Sequence, residues 1–575
     1  MDPTDPQKNI IRYNGNTVVL ASPGSGKTFV ISEKIKRLLA EDKMRDYQGV
    51  IAISYTRKAS AHLKRKCLVD GVEGKNSFFG TIDSFCLSQI INKFGAYVFG
   101  HPAVEVSPVG LDSLESRQAK FKWIDDEHPD YDTVSADRWD GLYDLFHEGL
   151  VLIEALELMA LRVVKESKAC RNYILARFTH IFIDEYQDAD TYTNEIFVTF
   201  VELGLTGIVV GDKNQSIFGF AHKHSRYLEA LSEDARFTSF PLLDNFRCSQ
   251  PIIDYSSRLL NTNYQLKGCV SQGVFHYTVS GGEEDVASWL SKAIPKICKW
   301  MKIEDYSQVA VLVKKTALQT LINQSMSVPH RLVETTILDR DMNPRSRLYG
   351  KLLEYYFSEK MSFFEVIDEF EDYECLTLGE RKRLMSLMDE IRGVEEYEMV
   401  KKLPSLFLNV ASILLPQYAE SYALRHLDTV MKNEAMLNTY RPLKKDEVVL
   451  MTLHKSKGLE FDVVFHLNLN EWEMPGKKPG PNGDFDHPVY PTYEQDLDLH
   501  YVGITRARKA CFLVSSSKRR TSSGRLSNAS PSEFLIMNGL EKLRFELSES
   551  FLKNPQNGLD EDVPHCAVRD CAILR

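Results

Sequence analysis

The sequence predicts an α/β protein made of two parallel-sheet units, each interrupted by a helical insertion. Two sets of short apolar strands, a glycine-rich turn after the first of them, and two acidic stretches of helical periodicity carry this prediction. Asn16–Leu20 (NTVVL) reads as a buried strand, and Lys27–Leu39 repeats its apolar residues with the 3.6-residue period of a helix. Gly49–Ser54, Thr179–Ile183 and Gly207–Val210 continue the first set. Each is followed by polar residues, where a parallel sheet places its site. Gln308–Val313, Glu447–Leu453, Val463–Leu467 and Cys511–Ser515 form the second set. The regions from about 87 to 175 and from about 341 to 440 are helical and acidic. Residues 474–493 read as a Pro/Gly-rich loop and Ser515–Ser532 as a Ser/Arg-rich linker. In the tail beyond, His565, Cys566 and Cys571 lack a fourth ligand at metal spacing.

Composition narrows the class. The chain has 575 residues, 43% of them apolar, which excludes a wholly disordered or fibrous protein. No run approaches the roughly 18–20 apolar residues of a membrane span, and MDPTDPQKN is no secretory signal, so a cytoplasmic protein with no membrane partner is expected. Ten cysteines without a single C-x-x-C pair fit a reduced compartment rather than a disulfide framework. The net charge of −10 argues against nucleic acid until its distribution is resolved. Residues 111–160 and 365–399 together hold −17, so the rest of the chain carries +7. Two stretches without an acid concentrate that excess, Ser54–Val69 and Leu499–Ser532. The run Lys64–Lys66 fits a solvated helix face as well as a DNA-lining one.

The segment Ala21, Ser22, Pro23, Gly24, Ser25, Gly26, Lys27, Thr28 lies between a strand and a helix. Backbone N–H groups of such a loop surround phosphates, and the helix N-terminus adds partial positive charge. Lys27 can neutralise the β- and γ-phosphates, and Thr28 can ligate Mg²⁺. In IFIDEYQDAD, Asp184 ends an apolar strand where a carboxylate can hold Mg²⁺, and Glu185 can act as general base on water. Together these residues indicate an enzyme that hydrolyses a nucleoside triphosphate with Mg²⁺.

Further motifs, in order, resemble those of superfamily-one DNA helicases of the UvrD/Rep type: TDPQKN, SYTRKASAHL, GTIDSF, GDKNQSIFGF, NFRCSQ, MTLHKSKGLEF and YVGITRAR. The resemblance runs from about Gln7 to Arg508 and implies two RecA-like P-loop NTPase domains, each with a helical insertion. It places the first at 1–86 and 176–236 with its insertion at 87–175. The second falls at 237–340 and 441–515 with a reduced insertion at 341–440, leaving 516–575 as linker and tail. It implies that Gln7 reads the adenine edge, Gln215 senses the γ-phosphate, and Arg247 and Arg506 act as arginine fingers. Gly458 and Glu460 would contact the nucleotide. Thr56, Arg57, Thr81, Phe218, Phe220, Thr452 and His454 would line single-stranded or tailed DNA. Phe218 fits core packing as readily as base stacking; Phe220 fits stacking better.

The sequence departs from that pattern at several points. Phe29 stands where the family has an arginine that stacks on the base, and Phe246 where it has a tyrosine, which leaves an aromatic pair without a cation–π contribution. Asp83 and Ala221 replace a histidine and an arginine, removing possible DNA contacts. The insertion at 341–440 is far smaller than in the larger helicases. FIDEYQDAD, DNFRCSQPIIDYSS and LDRDMNP…KLLEYY resemble, more narrowly, the helicase-type subunit of Gabija anti-phage systems. That resemblance implies a partner nuclease, a GajA-like protein with OLD-type ATPase and TOPRIM parts. The expected function is an ATP-dependent 3′-to-5′ DNA helicase or single-strand translocase in anti-phage defence, its ATP hydrolysis stimulated by DNA. The alternatives are a DNA-end-sensing subunit that regulates a nuclease with little unwinding of its own, and a general DNA repair helicase.

Overall fold

The computed structural model describes residues 2–41, 44–69, 72–219, 222–267, 273–341, 343–367, 369–370, 376–416, 423–521 and 524–548. The chain divides into two compact units, 1–244 with 335–442, and 245–334 with 443–575.

The first unit is built on a six-stranded parallel sheet. Its strands are β1 (Thr17–Ala21), β2 (Gly49–Ile53), β3 (Phe78–Gly80), β6 (Phe178–Ile183), β7 (Thr206–Gly211) and β8 (Thr238–Leu242), and a short separate parallel pair, β4 (Ser107–Val109) and β5 (Leu150–Leu152), lies between β3 and β6 in sequence. The order across the sheet is β3-β2-β6-β7-β1-β8. The inner strands TVVLA and GVIAI are buried along nearly their whole length, as strands covered on both faces must be. Pro241 stands in β8, at the sheet's edge, where a missing ladder N–H costs least. Helices α1 (Asp5–Arg12), α2 (Lys27–Ala40) and α3 (Arg57–Cys67) precede and follow the first two strands.

Helices Ala136–His147, Leu156–Glu166 and Lys168–Arg177 belong to the first acidic region, and their Leu158, Met159 and Leu161 share one core with Ile181 and Ile183 of the sheet. The second helical region carries its own core, in which Leu348, Leu352, Leu384, Leu403, Phe407 and Leu427 are buried. Residues 335–442 group with 1–244, although the strands that flank them in sequence lie in the other unit. Its acidic side chains Asp389, Glu390, Glu395 and Glu396 are exposed.

The second unit holds a seven-stranded parallel sheet. Its strands are β9 (Val274–Val279), β10 (Val309–Val313), β11 (His330–Leu332), β12 (Val448–Thr452), β13 (Phe461–His466), β16 (Ala507–Ser516) and β19 (Phe545–Glu546), in the order β11-β12-β10-β13-β16-β9-β19. Two expectations change here. The Pro/Gly-rich loop contains an antiparallel hairpin, β14 (Lys478–Gly480) and β15 (Asp484–Val489), closed at Asn482 and Gly483 with positive φ. In the stretch expected to be linker and tail, the described residues form strands and turns: β17 (Lys518–Arg520) pairs with β18 (Leu526–Asn528), and β19 extends the main sheet through β9. Buried Phe534, Leu535 and Leu540 anchor it, apolar residues that a reading dominated by Ser and Arg passes over. His565, Cys566 and Cys571 lie outside the described residues.

Candidate nucleotide and nucleic-acid site

The sheet order β6-β7-β1 brings three strand ends side by side, and each delivers one element of a site. After β1 the loop turns at Gly24 (φ 67°) and Gly26 (φ 86°), left-handed positions that favour glycine. The loop is tied back by Ser22 N–H to the Leu242 carbonyl (3.0 Å) and by Ser25 Oγ to the Ser22 carbonyl (2.8 Å). Gln7 is buried against it, donating from Nε2 to the Ser25 carbonyl (3.2 Å) while its Oε1 accepts from Thr4 N–H (3.0 Å). A Cβ at Gly26 would meet Gln7 Nε2 at 2.9 Å, a second reason for glycine there. Lys34, also buried, holds α1 in place by donating from Nζ to the carbonyls of Ile10 (2.8 Å) and Tyr13. Burial, with Arg37 nearby, brings its pKa down to about 8.

Lys27 Nζ donates to Glu185 Oε2 at 3.0 Å, and Thr28 Oγ1 donates to Asp184 Oδ2 at 3.5 Å. Asp184 and Asp212, at the ends of β6 and β7, are buried. Burial and the neighbouring Glu185 push Asp184 up to about 7. Burial also raises Asp212, against the pull of Lys27 and of Gln215 Nε2, which donates to Asp212 Oδ2 at 2.6 Å. Burial disfavours the charged form of Lys27, but Glu185, Asp212 and Asp184 more than offset it and leave its pKa raised. Glu185 itself sits at φ 55°, a conformation rare for glutamate and typical of strained functional positions.

Three acids surround one ammonium beside a loop of phosphate-binding shape. This donor set fits a magnesium nucleotide: a divalent cation would balance the carboxylates, and Thr28 and Asp184 are the groups placed to hold it. Among the described residues no group of three or more His, Cys, Asp or Glu is arranged to hold a metal by itself. Asp212 escaped the sequence reading although it ends an apolar strand as Asp184 does.

Of the predicted DNA residues of the first unit, Thr56, Thr81 and Phe218 fall on neighbouring loops. Thr56 caps α3, its Oγ1 accepting from Ala59 N–H at 3.1 Å, and Thr81 caps the short helix Ile82–Phe85. Phe218 stacks on Tyr55, with ring centroids 5.5 Å apart and planes 17° from parallel. Lys223 Nζ lies 4.3 Å from the Tyr55 ring centroid and donates to its hydroxyl at 3.2 Å. Tyr55 is 39% exposed, so the platform is not simply core. Neither Tyr55 nor Lys223 was singled out from the sequence; only folding brings them to Phe218. Phe220 and Ala221, like the side chain of Arg57, lie outside what is described.

In the second unit Arg247 Nε donates to Glu460 Oε2 at 2.8 Å, and Arg508 reaches the same carboxylate at 3.4 Å. Arg506 is buried, donating to the carbonyls of Val502 (3.1 Å) and Leu459 (3.3 Å). Gly458 takes φ 80°, and the space where a Cβ would stand is open. Phe246 is 56% exposed. Thr452 is buried at the end of β12, and His454 follows in a short turn, its pKa lowered by burial and by Lys314.

Family comparison agrees with this architecture. The N-terminal domain of UvrD/REP helicases matches residues 4–139 and 144–236, and the UvrD-like helicase C-terminal domain matches residues 346–518. The chain belongs to the UvrD/Rep helicase family, and its two sheets are that family's RecA-like P-loop folds. Among individual proteins it resembles Gabija protein GajB of Bacillus cereus (strain VD045), with 23% identity over 543 residues covering 89% of this chain and 95% of that protein. It also resembles the ATP-dependent DNA helicase PcrA of Staphylococcus epidermidis (strain RP62A), 22% identical over 630 residues that cover 91% and 84% of the two chains. PcrA of Staphylococcus aureus (strain Mu50) is 22% identical over 660 residues, covering 96% and 87%. No helix among the described residues is long and apolar enough to cross a membrane.

Proposed function

We propose that this chain is a DNA-stimulated ATP hydrolase that moves 3′ to 5′ along single-stranded DNA, and that it serves as the helicase component of an anti-phage defence system. The observation that carries the motor reading is the run from Asp212 to Phe218. Within seven residues one segment passes from the carboxylates around Lys27 to the aromatic platform on Tyr55. Lys27 binds the phosphates; Thr28 and Asp184 hold Mg²⁺, which supplies charge neutralisation when bound. Glu185 takes the proton of the attacking water, a role worth about 10²–10⁴ in rate. Gln7 fixes the base end of the nucleotide, and Gln215, tied to Asp212, reports on the γ-phosphate. Arg247 and Arg506 supply transition-state charge, each such finger contributing about 10³–10⁵. Within their own unit Arg247 donates to Glu460, and Arg506 to the Val502 and Leu459 carbonyls. Phe218 and Tyr55 stack on bases without regard to sequence, as translocation requires. Thr56, Arg57, Thr81, Thr452 and His454 complete the proposed DNA path.

The defence role rests on the likeness to Gabija protein GajB, and with it a partner nuclease of the OLD/TOPRIM type. The small helical region at 335–442 favours a second reading, in which the chain senses DNA ends and regulates that nuclease with little unwinding of its own. Strand displacement on a 3′-tailed duplex, with and without the nuclease, separates the two. Unwinding by the isolated chain supports the first; ATP hydrolysis without unwinding, altered nuclease activity included, supports the second.

A further inference from the structure

Gln187 follows the catalytic pair by two residues and is completely buried. Its Nε2 donates to Glu185 Oε2 at 2.6 Å, the same oxygen that Lys27 reaches. Its Oε1 accepts from the backbone N–H of Asp212 at 3.0 Å, and its main-chain carbonyl accepts from Ser216 Oγ at 3.1 Å. The partners settle which end of the amide is which, because a carboxylate can only accept and a backbone N–H can only donate. A Cβ at Gly211 would fall 2.7 Å from Gln187 Oε1, so the strand end must be glycine for the contact to exist. Residues 211, 212 and 216 of a single segment thus clasp Gln187, and that segment leads two residues later to Phe218.

We propose that Gln187 is the positioning residue through which the 211–218 segment sets the orientation of the Glu185 carboxylate, so that DNA on the Phe218–Tyr55 platform raises ATP turnover by way of this amide. The proposal rests on the reading above, that Glu185 is the general base and Phe218 faces DNA. The carboxamide is a rigid plane. A displacement of Asp212 N–H that carries Oε1 with it therefore carries the Nε2 donor as well, and with it Glu185 Oε2. Glu185 is the place where such a push registers, since its left-handed backbone is a conformation that needs external bonds to hold it. The role differs from that of Gln215, whose amide donates to the Asp212 side chain and not to Glu185.

The test compares wild type with Gln187→Leu and Ser216→Ala in the full chain. ATP hydrolysis is measured with and without saturating oligo-dT, alongside oligo-dT affinity by fluorescence anisotropy. Gln187→Leu should cut the ratio of DNA-stimulated to basal turnover by about tenfold or more, with oligo-dT affinity and the KM for ATP within about twofold of wild type. A residue that merely fills the core would change stability and leave that ratio alone. Ser216→Ala removes one bond from the clasp and should lower the ratio by roughly two- to fivefold; where Gln187→Leu fails to fold, this variant decides. Stimulation equal to wild type in both variants, or in Ser216→Ala where it stands alone, overturns the role of Gln187 but leaves the motor reading intact. Wild type that does not respond to oligo-dT overturns that reading and this inference with it.

Discussion

The Lys27 ammonium lies 3.0 Å from the Glu185 carboxylate, so the group proposed to bind phosphate and the group proposed to activate water neutralise each other. Asp184 and Asp212 act on the same ammonium, which makes Lys27 the cation that holds three acids together.

Opposite effects on stability follow from substituting the two partners. Lys27→Ala leaves the acids uncompensated and should lower nucleotide-free stability by up to about 3 kcal/mol, the low end for breaking a buried pair because Glu185 remains 29% exposed. Glu185→Gln removes one of the like charges that raise Asp184 and should leave the thermal midpoint unchanged or higher. Thermal unfolding of both variants checks the sign; a larger loss in Glu185→Gln would refute the charge argument.

The platform of Tyr55 and Phe218 makes a claim about DNA affinity. Tyr55→Ala and Phe218→Ala should each weaken single-strand binding by about 1–3 kcal/mol, equally for oligo-dT and for mixed sequence. Tyr55→Phe keeps the ring but loses the hydroxyl that Lys223 reaches, and should bind almost as wild type. Anisotropy titrations on two oligonucleotides distinguish these outcomes. Unchanged affinity in both alanine variants would show that the stack is only packing.

An acid-sensitive element sits in the second unit. His466 Nε2 and His500 Nδ1 are 3.0 Å apart and both rings are fully buried. Burial lowers His466 to about 4, and burial with the neighbouring His466 and Arg544 lowers His500 well below the usual imidazole range. The unfolded chain therefore binds protons that the folded chain excludes. Their contribution is fully present above about pH 6.5 and is lost as pH falls toward 4, at most about 3 kcal/mol from His466. Chemical denaturation between pH 7.5 and 5 should show this decline, with a shallower slope in His500→Leu. An identical slope in that variant would exclude the pair as the cause.

By contrast, the ion pair between Arg65 and Glu365 (2.9 Å) joins α3 to the second helical region with both side chains well exposed, at 53% and 38%. Such pairs contribute about 0–1 kcal/mol. Glu365→Gln should accordingly leave the unfolding midpoint within about a degree or two. A large drop would mean that this contact holds the helical region in place.

What was legible in the sequence follows the range of each signal. The loop from Ala21 to Thr28 and the pair Asp184–Glu185 are local patterns, and the fold leaves them where strand–loop–helix logic puts them. Asp212, Gln187, Tyr55 and Lys223 were not legible as partners, because their roles depend on β7 lying between β6 and β1 and on Phe218 and Lys223 meeting Tyr55 at the end of β2. The weakly patterned strands β8 and β19 were missed for a related reason. β8 buries only Leu242 fully and β19 is two residues long, so neither leaves much periodicity to find. The grouping of 335–442 with the first unit depends on tertiary contacts that no stretch of sequence displays.

The central claim is that ATP hydrolysis at Glu185 is coupled to single-stranded DNA. Phosphate release in Mg²⁺ buffer, with and without oligo-dT, for wild type and Glu185→Gln tests it most directly. We expect a wild-type rate that rises on adding DNA, and a Glu185→Gln rate lower by about 10² or more while the variant still binds nucleotide and DNA. A wild-type rate indifferent to DNA, or undiminished turnover in Glu185→Gln, would contradict it.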